Sequence, residues 1–359
     1  MEKIRVVKRG SPSAKKIFLV SFLSLLGALA VASLIFFLYG VNPFQAYARL
    51  IGGSLGSPYS IGETLRRAIP LLLVGTGLTL AFRGSFWNIG AEGQLLLGAM
   101  AAAGVALFSR LPSPLLLPAM FLGGFFAGAL WALLPALLKS KLGVNEVITT
   151  LMLNYVAMNL ILYLVQGPWR GTQKWGFPYT DDIPPAARLD TIGETSVHWP
   201  TLILGLCLAL LIYWVLHHTT YGFEIRVLGE NPEAGHFAGM SPVKTTALVA
   251  LVSGGLAGLA GVGEVAGVHH MLRNPGQISL GYGYTAIIVA WLARRNPLAT
   301  VLTALFFGAI LTGGDALKIS LGLPFQVVDV LNGLILFFLI GGELLLEYGL
   351  EWGTEGERR

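Results

Sequence analysis

The chain has 359 residues, of which 54% are hydrophobic and only 12% are charged, and its formal net charge is +5. Soluble globular proteins carry about 25% charged residues, so this composition excludes a water-soluble domain of this length. The positive charge does not indicate nucleic-acid binding, because the basic residues cluster at the ends of apolar runs, where membrane orientation accounts for them. A single cysteine, Cys207, excludes an internal disulfide and a metal cluster held by cysteines.

Apolar runs follow one another along almost the whole chain. A helix needs about 20 apolar residues to cross a bilayer, and ten runs reach or approach this length. We expect spans at roughly 17–39, 64–82, 91–108, 115–138, 147–165, 201–217, 244–262, 278–293, 297–317 and 327–346. The third and eighth are short and rich in glycine, which indicates short or interrupted helices. The pattern predicts an all-α, polytopic membrane helix bundle of about ten spans embedded in lipid.

The basic residues orient this bundle. Six Lys or Arg residues lie within 1–16, and cytoplasmic segments are enriched in these residues. We therefore expect a cytoplasmic N-terminus (1–16), a single membrane domain (17–346) and, after ten spans, a cytoplasmic tail (347–359). This topology places the 166–200 loop outside and the 218–243 loop in the cytoplasm. The alternative that the first apolar run is a cleaved signal peptide stays open, although the run is long for one.

The segment between spans two and three brings polar side chains next to the membrane. The side chains concerned are Trp87, Asn88, Glu92 and Gln94. They lie among three glycines, and glycine weakens a helix. Irregular backbone at membrane depth is tolerated only where it is buried in protein or lines a wet cavity. One interpretation is a solute pathway; the other is that Asn88 and Glu92 cap the following helix, with Glu92 favoured by the helix dipole.

Span five carries a second set of polar residues. It begins with Asn145 and Glu146, and it contains Asn154 and Tyr155. Amide side chains inside a bilayer must find hydrogen-bond partners. Hydrogen bonds to neighbouring helices are one account of these residues, and contact with a polar solute is the other.

Two acids near the ends of later spans leave a rival mechanism open. Glu264 and Asp315 lie there, and two histidines closely follow Glu264. The spacing is not that of a metal site, so we expect no metal. Acids inside a membrane are candidates for ion coupling, so a stand-alone secondary transporter driven by protons or sodium is an alternative.

No motif of an enzyme occurs in the sequence. It contains no nucleophile elbow, no zinc-protease motif and no P-loop. We therefore expect a transport protein rather than an enzyme, with no cofactor of its own. If ATP drives transport, ATP and magnesium must bind to another subunit.

The 218–243 loop contains the signals of a short helix. Asn231 is a favourable N-cap, Pro232 suits the first helical position, and Glu233 suits the positive helix end. Gly239 suits the C-terminal cap, so the pattern predicts about two turns of helix. Such a helix is too short to be stable alone in water. It must rest either on its own spans or on a partner.

Three stretches resemble one family of membrane transporters. Glu233-Ala234, with Gly239 six positions after Glu233, resembles the E-A-A-x-x-x-G loop of ABC importer permeases, with Gly235 at the third position. The stretches FWNIGAEGQLLLGAMAA (86–102), KLGVNEVITTLMLNYVA (141–157) and YGFEIRVLGENPEAGHFAGM (221–240) resemble permeases for simple sugars and nucleosides, in the branched-chain amino acid and ribose permease superfamily. The likeness runs from about residue 20 to 346.

The resemblance implies a function and a set of partners. It implies the permease subunit of an ATP-driven importer in a prokaryotic cell membrane, moving nucleosides first and simple sugars second by alternating access. It also implies an ABC ATPase subunit, a second permease that is a related but different chain, and a substrate-binding lipoprotein outside. The coupling residues for the ATPase would be Gly229, Glu230, Asn231, Glu233, Ala234 and Gly239. The candidates for the substrate pathway are Trp87, Asn88, Glu92, Gln94, Asn145, Glu146, Asn154 and Tyr155.

Overall fold

The computed structural model describes residues 3–8, 13–172, 176–193, 195–324 and 326–353. These residues form fourteen α-helices and two strands, with a 3-10 turn at Pro185–Ala187 and a π-helical turn at Glu264–His269. The helices are α1 Ala14–Leu38, α2 Pro43–Leu55, α3 Pro58–Arg83, α4 Ala91–Phe108, α5 Ser113–Leu142, α6 Glu146–Gln166, α7 Trp199–His218, α8 Thr220–Glu230, α9 Pro232–Phe237, α10 Pro242–Gly263, α11 Pro275–Ser279, α12 Tyr282–Leu292, α13 Pro297–Leu321 and α14 Gln326–Glu347. The strands are β1 Lys3–Lys8 and β2 Tyr348–Gly353.

The predicted all-α membrane bundle is confirmed. Each of the ten predicted spans coincides with a helix, and eight helices of the described residues are long and apolar enough to cross a membrane. The eighth predicted span forms only α12, whose 11 residues extend about 16 Å, roughly half the hydrocarbon thickness. The paired strands are an addition that the sequence did not predict.

The described residues divide into two compact units, and the smaller one contains those that fall within 1–53 and 313–359. In it α1 and α14 run antiparallel, with Gly27 against the ring of Phe338. Strands β1 and β2 pair antiparallel from Lys3 opposite Gly353 onward. Strands β1 and β2 therefore lie together at one end of the α1–α14 pair.

The larger unit, Ser54–Thr312, is built around α3, α4, α5 and α10. Glycines at four-residue spacing face each other on α5 (Gly124, Gly128) and α10 (Gly254, Gly258). A Cβ atom on Gly258 would collide with the carbonyl oxygen of Gly124, so the two backbones touch directly. Small residues promote such close packing between membrane helices.

Two breaks in the helices of the larger unit define its functional part. The first interruption is residues 84–90, between α3 and α4, where Ser85 has a φ of +50°. The second interruption is residues 264–281, between α10 and α12. It contains the π-helical turn and α11, and such turns are often found at functional sites.

Candidate functional site

The N-termini of α4 and α12 meet at Glu92. The backbone N–H of Gly283, in the first turn of α12, donates to Oε2 of Glu92 at 2.8 Å, and Glu92 itself lies in the first turn of α4. The carboxylate is buried and faces the positive ends of two helices, a favourable arrangement for a negative group. Glu92 therefore joins the N-termini of α4 and α12 and is almost completely buried.

From Glu92, α4 and α12 run in opposite directions. Gly104 of α4 lies against Trp169, which follows the end of α6. Trp291 of α12 stacks on the ring of Trp87. The backbone N–H of Trp87 faces the carboxylate of Glu146 at the start of α6. Their meeting point therefore lies at about half the depth of α6, with one helix running to each side.

Asn88 and Gln94 are buried and bonded to each other. The amide groups exchange two hydrogen bonds of 2.8 Å, and Asn88 Nδ2 also donates to Ser253 Oγ of α10 at 3.0 Å. Both side chains are at most 1% exposed. The pair fixes the first interruption to α10, so its contribution is structural.

Asn154 holds the same interruption from α6. Its Oδ1 accepts from the N–H of Gly93 at 2.8 Å, and its Nδ2 donates to the carbonyl of Ile89 at 2.9 Å. Nδ2 also lies 3.3 Å from Oη of Tyr284 on α12. Asn154 is nine residues beyond Asn145, or about 13 Å along the helix, which places these contacts near half depth.

The two residues at the start of α6 have local partners. Asn145 is exposed and caps the helix by accepting from the N–H of Val147 at 2.9 Å. Glu146 Oε1 lies 2.6 Å from Nζ of Lys139 on α5. Neither side chain reaches the half-depth region around Asn154.

An aromatic face remains on the surface of the larger unit. We use this name for Trp87, Tyr155, Tyr284 and Trp291. Trp87 and Tyr155 were predicted and are 41% and 53% exposed, and Tyr284 is 38% exposed. The rings of Trp87 and Trp291 stack at 5.6 Å between centroids. Tyr155 and Tyr284 lie beside the Asn154 amide near half depth, whereas Trp87 and Trp291 lie closer to the start of α6. Flat rings beside an amide group suit a flat solute with polar edges.

Sequence reasoning missed Tyr284 and Trp291. Both lie in the weak eighth span, which offered no strong helical pattern. Their separation of seven residues was the available signal, because residues seven apart share one face of a helix. Tyr284 is the third residue of α12, about 12 Å from the helix end at Leu292, so it lies near half depth.

The segment before α7 covers the second interruption. Ile183 N–H donates to the carbonyl of His270 at 2.8 Å, and Leu189 N–H donates to that of Ala266 at 2.9 Å. His198 is fully buried against Gly267. Burial lowers the pKa of the His198 imidazole to about 4, so this side chain is neutral at neutral pH.

The predicted short helix of the 218–243 loop is confirmed as α9. Asn231 Oδ1 accepts from the N–H of Ala234 at 3.0 Å, and Pro232 occupies the first helical position. Gly239 has a φ of +82°, the left-handed conformation expected after a helix end. The capping residues thus act as the sequence predicted.

Most of α9 is exposed. Phe237 is 90% exposed, and Glu230 and Glu233 are exposed as well. Gly235 is the buried residue of the helix, and a Cβ atom there would lie 2.5 Å from Leu228 Cδ2. This close contact explains glycine at the third position of the motif, and it leaves the remaining face of α9 open.

Comparisons with known proteins identify similar membrane permeases. The family described as "Branched-chain amino acid transport system / permease component" matches residues 60–340. The glucose ABC transporter permease protein TsgB13 of Haloferax volcanii is 38% identical, over 91% of this chain and 88% of the relative. The guanosine ABC transporter permease protein NupP of Bacillus subtilis is 33% identical, over 89% of this chain and 92% of the relative.

Further permeases from bacteria are also similar. The nucleoside ABC transporter permease protein NupB of Lactococcus lactis subsp. cremoris is 31% identical, over 89% of this chain and 90% of the relative. A second guanosine permease of Bacillus subtilis, NupQ, is 28% identical over 69% of this chain and 79% of the relative. Taken with the apolar helices, these matches show that the chain belongs to the branched-chain amino acid transport system permease family and is a multi-pass ABC transporter permease, a transport subunit rather than an enzyme.

Proposed function

We propose that this permease imports nucleosides, with simple sugars as the second candidate, by alternating access in a prokaryotic cell membrane. The observation that carries the proposal is the aromatic face, whose Tyr155 and Tyr284 lie near half depth beside Asn154. A nucleobase is flat and has polar edges, so it stacks on aromatic rings and bonds to amide and hydroxyl groups. Relatives named for guanosine and nucleosides support this choice.

Sugar remains the second candidate because TsgB13, at 38% identity, is named for glucose. Competition on the assembled transporter separates the two. We expect unlabelled guanosine to reduce uptake of labelled nucleoside strongly, with an equal concentration of glucose having no effect. Competition by glucose alone would assign the permease to sugars.

The second permease is proposed to be a related but different chain. Two guanosine permease proteins of Bacillus subtilis, NupP and NupQ, resemble this chain at 33% and 28% identity. A pair of unlike permeases accounts for two such proteins in one organism. Co-expression with a NupQ-like chain should yield a stable complex, and a pure homodimer that transports would contradict the pairing.

The ATPase subunit, which binds ATP and magnesium, is proposed to dock on α9. The exposed Phe237 offers an apolar anchor, and Glu233 lies beside it in the helix. We expect Glu233→Lys and Phe237→Ala to reduce recovery of the ATPase with the permease at least tenfold, without lowering the melting temperature of the permease. The control is Arg110→Glu, a charge reversal at an exposed position after α4. Normal assembly of both α9 variants would refute the docking site.

Orientation follows from the same proposal. α9 must face the cytoplasm, where the ATPase lies, and the opposite side must face a substrate-binding lipoprotein. The basic N-terminal residues favour the same orientation. The pairing of β1 with β2 supports placing both chain ends on one side. We expect the His236→Cys variant to be labelled at this position from the cytoplasm; labelling from outside only would contradict this orientation.

A further inference from the structure

Gly229, at the C-terminal end of α8, lies directly against the first interruption. Oγ of Ser85 donates to the carbonyl oxygen of Gly229 at 2.6 Å. A Cβ atom on Gly229 would collide with the carbonyl oxygen of Arg83, so no side chain separates α8 from the end of α3. A displacement of the loop that carries α9 therefore acts on Ser85 without an intervening side chain.

An ion pair grips the interruption on both sides of Phe86. Nζ of Lys139 donates to the carbonyl of Ser85 at 2.6 Å and lies 2.6 Å from Oε1 of Glu146. The same carboxylate oxygen faces the N–H of Trp87 at 3.5 Å. The side chains of Lys139 and Glu146 are 30% and 12% exposed, so water screens this pair only partly.

The backbone at Ser85 needs such support. Its φ of +50° lies in the left-handed region, which non-glycine residues seldom adopt. Both its hydroxyl and its carbonyl are bonded, one to the loop and one to Lys139. Two residues further on, Trp87 belongs to the aromatic face and stacks on Trp291. The chain of contacts thus runs from the 218–243 loop to the aromatic face.

We propose that Ser85, Lys139 and Glu146 form a coupling strap that transmits movement of the 218–243 loop, which contains α8 and α9, to Trp87. The three side chains touch neither ATP nor solute in this scheme, so they are positioning residues. The inference rests on the proposed function, since it requires an ATPase that pulls on α9. Within that function it assigns the step between docking of the ATPase and opening of the pathway.

The test is the number of solute molecules imported per ATP hydrolysed by the assembled transporter in proteoliposomes. Lys139→Met keeps the length of the side chain and removes its charge, and we expect it to lower this ratio at least fivefold. Ser85→Ala removes only the bond to Gly229, and we expect a reduction of about threefold. Lys139→Arg keeps the charge and the donors, and we expect it to restore at least half of the wild-type ratio.

The matched control is Lys141→Met. Lys141 lies on the same end of α5 and is exposed. We expect the control to keep the wild-type ratio. A strap acts after docking, so we also expect recovery of the ATPase with the permease to be unchanged in the Lys139 and Ser85 variants.

The outcomes separate the strap from the proposed function. If the wild-type complex shows no ATP-driven uptake, the proposed function fails first. If wild type transports and Lys139→Met and Ser85→Ala keep its ratio, the strap is refuted. An equal fall of hydrolysis and uptake also refutes it, because that result indicates lost docking. If Lys139→Met does not fold, Ser85→Ala decides the question, because it leaves the ion pair intact.

Discussion

The two interruptions of the larger unit solve the same problem in different ways. Irregular backbone at membrane depth must find partners within the protein. The first interruption finds them in side chains: Asn154 donates to the carbonyl of Ile89, and Lys139 donates to the carbonyl of Ser85. The second finds them largely in backbone of the segment before α7, through Ile183 and Leu189.

This difference separates a part that is connected to the 218–243 loop from a part that is covered by the segment before α7. Ser85 in the first interruption bonds to Gly229 at the end of α8. The second interruption lies under the segment before α7, and His198 at the end of that segment is buried against Gly267. Side-chain bonds are easily exchanged during a movement, whereas a backbone cover resists it. We therefore expect the first interruption to move during transport and the second to stay fixed.

The largest expected effect comes from the residue that joins the two regions. Glu92→Ala removes the partner of the buried Gly283 N–H and the negative group between two helix ends. We expect it to lower the free energy of unfolding by about 3 kcal/mol. Glu92→Gln keeps an acceptor oxygen, so its loss should be smaller. Thermal unfolding in detergent measures the stability of both variants. Equal stability of Glu92→Ala and wild type would show that α4 and α12 do not depend on this contact.

A somewhat smaller effect is expected from Asn154→Ala, which breaks the first interruption alone. It removes the bonds to Gly93 and Ile89, and we expect a loss of about 2 to 3 kcal/mol. The control is Asn159→Ala on the same helix, because Asn159 is exposed and, among the described residues, its side chain donates to the carbonyl of Tyr155 in its own helix. Equal melting temperatures for the two variants would contradict the role given to Asn154.

The smallest effect concerns the cover of the second interruption and depends on pH. The buried imidazole of His198 has a pKa of about 4, against an ordinary value of 6.5. The unfolded chain therefore takes up a proton near pH 6.5 that the folded chain does not accept, and stability falls as the pH drops from 6.5 towards 4. We expect His198 to lower the free energy of unfolding by about 2 kcal/mol between pH 7.5 and pH 5.

The measurement compares His198→Gln with wild type across this range. The variant should lose less stability on acidification than wild type, and His217→Gln, at an exposed position at the other end of α7, should behave as wild type. Identical slopes for His198→Gln and wild type would show that the cover does not hold a neutral histidine.

The sequence predicted elements better than contacts. Span positions follow from apolar length, and the α9 cap follows from Asn231 and Pro232, because both signals are local. The partners of Glu92 and Asn154 lie on other helices, so no local pattern contains them. Lys139 was not among the predicted site residues, yet its ammonium bridges Ser85 and Glu146. Tyr284 was missed because α12 is too short for a clear span.

The central claim is that this permease works only with an ATPase docked on its exposed loop helix. The direct test is solute uptake by proteoliposomes that contain the permease pair, with and without the ATPase subunit. We predict uptake with the ATPase and ATP, and none with a proton or sodium gradient alone. Uptake driven by an ion gradient without the ATPase would contradict the account and favour a secondary transporter.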